Sequence, residues 1–185
     1  MKKVLFIDRD GTLILETANF KIEHPEEIAF YPGMMEWLRK IAEELSYELV
    51  LVTNQDGLGT PDFPDEPFFT THRLIMKTLA ENGIHFSAEH IDRTYPWENQ
   101  DTRKPGTGML KSYFSPEYNL ADSFVIGDRI TDVMLAKNLG CRCFWLNDGR
   151  NLGAGEIKED AAALSPSIAL ETLSWQAIYD FLKNS

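Results

Sequence analysis

Two aspartates one residue apart, Asp8 and Asp10, follow the apolar run at 4–7 and precede Gly11 and Thr12. Carboxylates this close repel each other, and a chain leaving a strand gains nothing from the pair unless a cation removes the repulsion. Three further polar stretches offer the rest of a site: "TNQDGLGT" at 53–60, "TRKPGTGM" at 102–109 and "GDRITD" at 127–132. Asp8 and Asp128 can share a hard divalent cation, and Mg²⁺ favours one or two carboxylates completed by water and a substrate phosphate. With cation and phosphate in place, one member of the Asp8–Asp10 pair can act as nucleophile and the other as acid and base. Thr53 offers a hydroxyl, and the N–H groups of the loop after it could hold phosphoryl oxygens. Lys104 brings a fixed positive charge to where phosphoryl transfer gathers negative charge. Asp128 and Asp132 also read as the N-cap and first-turn acid of a following helix, which is compatible with metal binding. Arg9 and Arg129 read as local ion-pair partners or as part of a phosphate's surroundings.

The elements that must carry these residues alternate. Short apolar runs rich in β-formers lie at 4–7, 48–53, 124–127 and 143–146, with a weaker one at 90–94. Helical patterns lie between them at 32–45, 72–82 and 131–139, Lys104-Pro105 is expected to open a further helix, and a last helix at 174–183 closes the chain. Gly83 and Gly140 stand where two of these helices should stop. Strands apolar on both faces and alternating with helices predict an α/β fold, a parallel sheet covered by helices on both faces. Ligands of such sheets bind outside the carboxyl ends of the strands, where the polar stretches fall.

A chain of 185 residues predicts a single domain over 1–185. The net charge of −11 opposes broad nucleic-acid binding, although a locally positive site could still take a small anionic substrate. No apolar run approaches the roughly 20 residues of a membrane span. The run at 4–7 is shorter than the roughly 7–15 residues of a signal-peptide core, so the expected location is cytoplasmic. Cys141 and Cys143 are expected to face one side of a strand as small buried fillers. His24, His72, His85 and His90 are scattered without ligand spacing and read as structural or surface residues. Phe68 and Phe69 read as packing residues close enough to a specificity loop to reach a substrate.

Taken together, "DRDGT", "TNQ", "RKP" and "GDRITD" resemble, in order and over nearly the whole chain, the motifs of the haloacid dehalogenase-like phosphatases. The resemblance implies a Rossmann-like fold and a phospho-aspartyl intermediate. In it Asp8 would attack phosphorus, and Asp10 would protonate the leaving alcohol and then activate water. Thr53 and Lys104 would hold the phosphoryl group, with Asn54 and Arg103 as further substrate-binding residues. Mg²⁺ would be bound by Asp8, Asp128 and the main-chain carbonyl of Asp10, with Asp132 in support.

Within that family, "TNQDGLGT" followed by Phe63-Pro64, and the flap "ETANFKIEHPEEIAFYPG" at 16–33, most resemble the histidinol-phosphate phosphatase branch. That branch usually carries a Cys/His zinc loop before "RKP". The corresponding "DRTYPWENQDTRKP" at 92–105 contains neither residue, so no zinc is expected. This loop should instead be held by packing of Tyr95 and Trp97, or remain mobile. The branch often has an amide where Lys21 stands, and a lysine there is an awkward neighbour for a substrate ammonium. Glu16, Glu23 and Asp56 are candidates to favour such a cation, with Glu16 the chosen substrate-binding residue.

The intervals between motifs leave no room for a separate cap domain, so the site should be open and covered only by loops, chiefly the flap at 16–23 and the loop at 57–71. The expected substrate is a small phosphomonoester, histidinol phosphate first. Heptose bisphosphate and a nucleic-acid 3′-phosphate are the alternatives, and a non-catalytic binding module is disfavoured because every reactive residue is present. In this branch the phosphatase is sometimes fused to a dehydratase domain, and a chain ending "YDFLKNS" fits a lone enzyme or one such domain.

Overall fold

A computed structural model describes residues 1–184. Six strands form one parallel sheet in the order β3-β2-β1-β4-β5-β6. They are β1 (Lys3–Ile7), β2 (Tyr47–Asn54), β3 (Ala88–Asp92), β4 (Phe124–Gly127), β5 (Arg142–Trp145) and β6 (Ile168–Glu171). The order reverses between β1 and β4, the place where a doubly wound sheet opens a crevice for ligands.

Alternation along the strands divides the core in two. Leu5, Ile7, Leu49, Leu51, Phe124 and Ile126 face α1 (Met34–Glu44), α2 (Asp65–Glu81) and α4 (Trp175–Lys183). Val4, Phe6, Val50, Val52 and Val125 face α3 (Ile130–Leu139) and a 3₁₀ helix at Gly108–Phe114. Because both faces are covered, the strands carry near-continuous apolar runs, which gives the layered α/β fold. Among the described residues the strands form a single sheet and no separate cap domain is evident. Cys141 and Cys143 are buried in the second layer as free thiols.

The sequence-based expectations differ from the fold at three places. The helix expected at 72–82 begins at Asp65, so much of the expected specificity loop at 57–71 is helical. Pro67 and the β-branched Thr70-Thr71 obscured it, although Pro in a first turn costs no hydrogen bond. Phe68, Thr71, His72, Ile75 and Leu79 fall on its buried face at helical spacing. Lys104-Pro105 does not open a helix; the 3₁₀ helix starts later, at Gly108. The edge strand β6 was not anticipated, because its apolar run is only three residues long, all half-buried, and ends in the exposed Glu171.

Candidate active site

The sheet delivers Asp8 directly from the end of β1, where its N–H donates to the Ile126 carbonyl at 2.9 Å. The chain then turns sharply, with the N–H of Leu13 and of Ile14 donating back to the Arg9 carbonyl at 2.9 and 3.1 Å. Gly11 makes that turn possible. Its φ is +74°, and a Cβ there would lie 2.2 Å from Asp128 Oδ2, so both backbone and space require glycine. Two indoles brace the adjoining loops: Trp145 Nε1 donates to the Asp128 carbonyl at 3.1 Å and Trp175 Nε1 to the Thr12 carbonyl at 3.3 Å.

Lys104 sits at the centre of the acids. Its Nζ lies 2.8 Å from Asp8 Oδ1 and 2.8 Å from Asp132 Oδ1, and all three side chains are buried. Burial alone would lower the pKa of Lys104, but Asp132 and Asp8 outweigh it and raise the ammonium above its ordinary value. Burial pushes the Asp8 carboxyl up to about 6 against the pull of Lys104, with Asp132 and Asp10 adding to the rise. Asp132, in the first turn of α3, also accepts from the Arg129 N–H at 3.1 Å and thereby caps that helix.

Asp128 has no such support. Both of its carboxylate oxygens are buried without a hydrogen-bond partner. Burial, then the charges of Asp8, Asp132 and Glu16, push its pKa up to about 9. One oxygen each from Asp8, Asp128 and Asp132 lie within 4.8 Å of one another, the only such group of three among the described residues. An all-oxygen cluster with an orphaned carboxylate fits a hard divalent cation, and Mg²⁺ suits a site with few carboxylates and an open side. A raised carboxyl pKa means the metal-free fold favours the protonated form, so a cation must displace that proton. Mg²⁺ affinity should therefore rise with pH up to about 9, with proton release on binding. Titration calorimetry near neutral pH in two buffers of different ionisation heat measures this; identical heats in both would contradict it.

Asp10 lies beside this cluster and is held on a different set of partners. Arg9, fully buried over the Phe68 ring at 4.6 Å, grips it with Nε to Oδ2 at 3.0 Å and Nη2 to Oδ1 at 2.9 Å. Gln55 Nε2 donates to Asp10 Oδ2 at 2.6 Å and to Thr53 Oγ1 at 2.9 Å. Asp8, Asp10, Thr53, Lys104, Arg129 and Thr131 all face one cavity of about 300 Å³.

The other expected binding residues are placed differently. Asn54 spends both ends of its amide on the backbone of Lys104, accepting from its N–H at 3.0 Å and donating to its carbonyl at 3.1 Å. It fixes the lysine's position although it also borders the cavity. Glu16 borders the cavity too, but Arg129 Nη2 holds its Oε1 at 2.6 Å and Arg150 lies 3.6 Å from Oε2, so its charge is taken. Arg103 bridges Asp56 at 2.5 Å and Glu156 at 2.7 Å on the cavity wall, and its Nη1 also donates to the Thr94 carbonyl at 2.9 Å. The N–H groups expected to cradle phosphate after Thr53 are largely committed. Those of Gln55, Gly57, Leu58, Gly59 and Thr60 all donate to backbone carbonyls.

The loop that carries zinc in the resembled branch is tied by oxygen chemistry. Asp92 accepts from the Thr94 N–H at 2.8 Å and from the hydroxyls of Thr94 and Thr102 at 2.6 and 2.5 Å. Tyr95 and Trp97 stack at 4.3 Å, and the Tyr95 hydroxyl packs against Gly57 where no Cβ could fit. Sequence reasoning missed the roles of Arg9, Gln55 and Glu156. Arg9 lay inside the motif as an apparent local partner, and Gln55 was visible in "TNQ". Glu156 had no local signal, because only the tertiary fold brings it to Arg103.

Comparison with known proteins bears on the family and the fold. The HAD-hydrolase-like family model matches residues 101–174. The histidine biosynthesis bifunctional protein HisB of Spirosoma linguale is 46% identical over 187 residues, covering 99% of this chain and 49% of that protein. The protein of the same name from Bacteroides fragilis is 49% identical over 183 residues, covering 98% of this chain and 47% of that one. The chain thus spans about half the length of the curated relatives it matches. Among solved structures, a D,D-heptose 1,7-bisphosphate phosphatase from B. bronchiseptica complexed with magnesium and phosphate aligns with a TM-score of 0.79. It covers 100% of this chain and 99% of that one at 24% identity, a likeness of fold.

Proposed function

Because the chain belongs to the haloacid dehalogenase-like hydrolases, we propose that it is a Mg²⁺-dependent phosphomonoesterase whose substrate is L-histidinol phosphate. The observation that carries the phosphatase reading is the orphaned Asp128 carboxylate facing Asp8, with Lys104 between Asp8 and Asp132. The identity of 46–49% to the two HisB proteins over nearly the whole chain supports the substrate. The reading treats the 185 residues as one phosphatase unit of a soluble, cytoplasmic enzyme of histidine biosynthesis. Among the described residues no helix is long and apolar enough to cross a membrane. A dehydratase domain, as part of a longer chain or as a partner, is the corresponding proposal for the other half of the relatives' length.

In the proposed reaction Asp8 attacks phosphorus while Asp10 gives its proton to the leaving alcohol oxygen. Water, deprotonated by Asp10, then cleaves the Asp8 phosphoryl ester. Mg²⁺ held by Asp8, Asp128 and the Asp10 main-chain carbonyl, with Asp132 in support, would neutralise charge on the phosphoryl oxygens and on the attacking carboxylate. Thr53 offers a hydroxyl to those oxygens, and Lys104 keeps Asp8 ionised beside them. Arg103, Asp56 and Glu156 together leave one net negative charge on the cavity wall, suited to a substrate carrying an ammonium and an imidazole. Lys21 also lines the cavity, with its ammonium donating to the Asp62 carbonyl at 2.7 Å.

The test is phosphate release from histidinol phosphate, a heptose bisphosphate and a 3′-phosphorylated oligonucleotide. The expected preference for histidinol phosphate in kcat/KM is at least ~100-fold, roughly 2.7 kcal/mol of transition-state discrimination. Three similar or uniformly slow rates would remove the substrate assignment.

A further inference from the structure

We infer that Gln55 is a positioning residue that aims the proton of Asp10 at the leaving oxygen. The inference rests on the phosphatase reading and adds to it a residue that no motif role requires.

Gln55 is almost fully buried, and all its polar atoms are used. Its backbone is pinned at both ends, with its N–H donating to the Asp92 carbonyl at 2.8 Å and its carbonyl accepting from the Leu58 N–H at 3.1 Å. Its side-chain oxygen accepts from Arg9 Nη2 at 3.4 Å. That contact fixes which end of the amide is which, because a guanidinium only donates. Nε2 therefore has two hydrogens to give, one for Asp10 Oδ2 at 2.6 Å and one for Thr53 Oγ1 at 2.9 Å.

Both consequences are directional. Thr53 Oγ1 receives its hydrogen bond from Gln55, so its own hydrogen is left to point into the cavity. Asp10 Oδ2 is occupied twice, by Gln55 and by Arg9 Nε at 3.0 Å, whereas Oδ1 has only Arg9 Nη2 at 2.9 Å. The transferable proton therefore belongs on Oδ1. As the P–O(alkyl) bond breaks and the Asp8–phosphorus bond forms, the Oδ1 proton moves to the alkoxide. Gln55 and Arg9 then hold the resulting carboxylate in place for the water that follows.

This role separates substrates by their leaving group. An alkoxide must be protonated as it departs; p-nitrophenolate leaves without a proton. First-turnover release of the alcohol or phenol, followed by rapid quench over a range of substrate concentrations, isolates that step from later hydrolysis. In Gln55→Met the maximal first-turnover rate with an alkyl phosphomonoester should fall at least ~30-fold, with p-nitrophenyl phosphate falling less than ~3-fold and half-saturation little changed for either. Gln55→Leu, which also removes the donor without adding a charge, should show the same split if the Met variant fails to fold. Equal losses on both substrates, or none, would overturn the positioning role. A parent enzyme that turns over neither ester with Mg²⁺ would overturn the phosphatase reading itself, and this inference with it.

Discussion

Replacing Asp8 by asparagine should lower kcat by on the order of 10⁴-fold or more and leave the fold intact. The expected loss is large because the amide cannot form the phosphoryl ester, and no other carboxylate is placed to take over. Asp10 is gripped through both oxygens by Arg9, Asp132 caps α3 and pairs with Lys104, and Asp128 faces the metal cluster. The stability expectation has the opposite sign. Burial raises the Asp8 carboxyl to about 6, so its ionised form costs the folded state more than it costs the unfolded chain. Removing that charge should leave the metal-free variant at least as stable as the parent near neutral pH, since Lys104 keeps Asp132. Two measurements check this together: steady-state phosphate release, and thermal unfolding in the presence of a chelator. In parent protein quenched with acid during turnover, a fraction should carry the added mass of one phosphoryl group, and the variant should carry none. A variant that retains a tenth of the parent's turnover would exclude Asp8 as the nucleophile.

What could be read in the sequence follows from how local each signal is. Asp8, Thr53 and Asp128 stand at or just past the ends of apolar runs, and strand direction alone brings such residues to one edge of a parallel sheet. Lys104 was placed by its motif rather than by its element, because it lies on an irregular loop well beyond β3. The hydrogen bonds that aim these groups were less visible. Asn54 looked like a substrate ligand, yet it is used to hold the Lys104 backbone fifty positions away in sequence. Glu16 looked free on the flap, but its partner Arg129 comes from the start of α3. Such pairings depend on which loops the fold brings face to face, and no periodicity encodes them. The start of α2 was masked locally by Pro67 and Thr70-Thr71, and what holds its first turns is again tertiary: the edge contact of Phe68 with Phe63 and the Arg9 guanidinium over the Phe68 ring.

Lys104→Met should cost both activity and stability, and the stability cost should depend on pH and metal in a set direction. The substitution keeps most of the buried methylene volume and removes the cation that Asp8 and Asp132 share at 2.8 Å each. Leaving buried carboxylates without their partner typically costs roughly 3–5 kcal/mol. Protonation offers a partial escape. Without Lys104 the folded-state pKa of Asp8, already raised to about 6, rises further above its unfolded value. The fold then binds more protons than the unfolded chain, so the variant's stability falls as pH rises through that interval. The deficit relative to the parent should be smallest at about pH 5 and largest at about pH 8. Saturating Mg²⁺ should recover part of it, because a cation near Asp8 and Asp128 replaces some of the lost attraction. Turnover should not recover with it. The metal cannot restore the fixed charge beside the phosphoryl group, and a loss of ~10³-fold in kcat is expected even when the variant is fully folded. Urea unfolding of both proteins at the two pH values, with and without Mg²⁺, reads every part of this. A deficit that does not change with pH would mean that Asp8 and Asp132 find another partner, and that Lys104 is not the group that holds their charge.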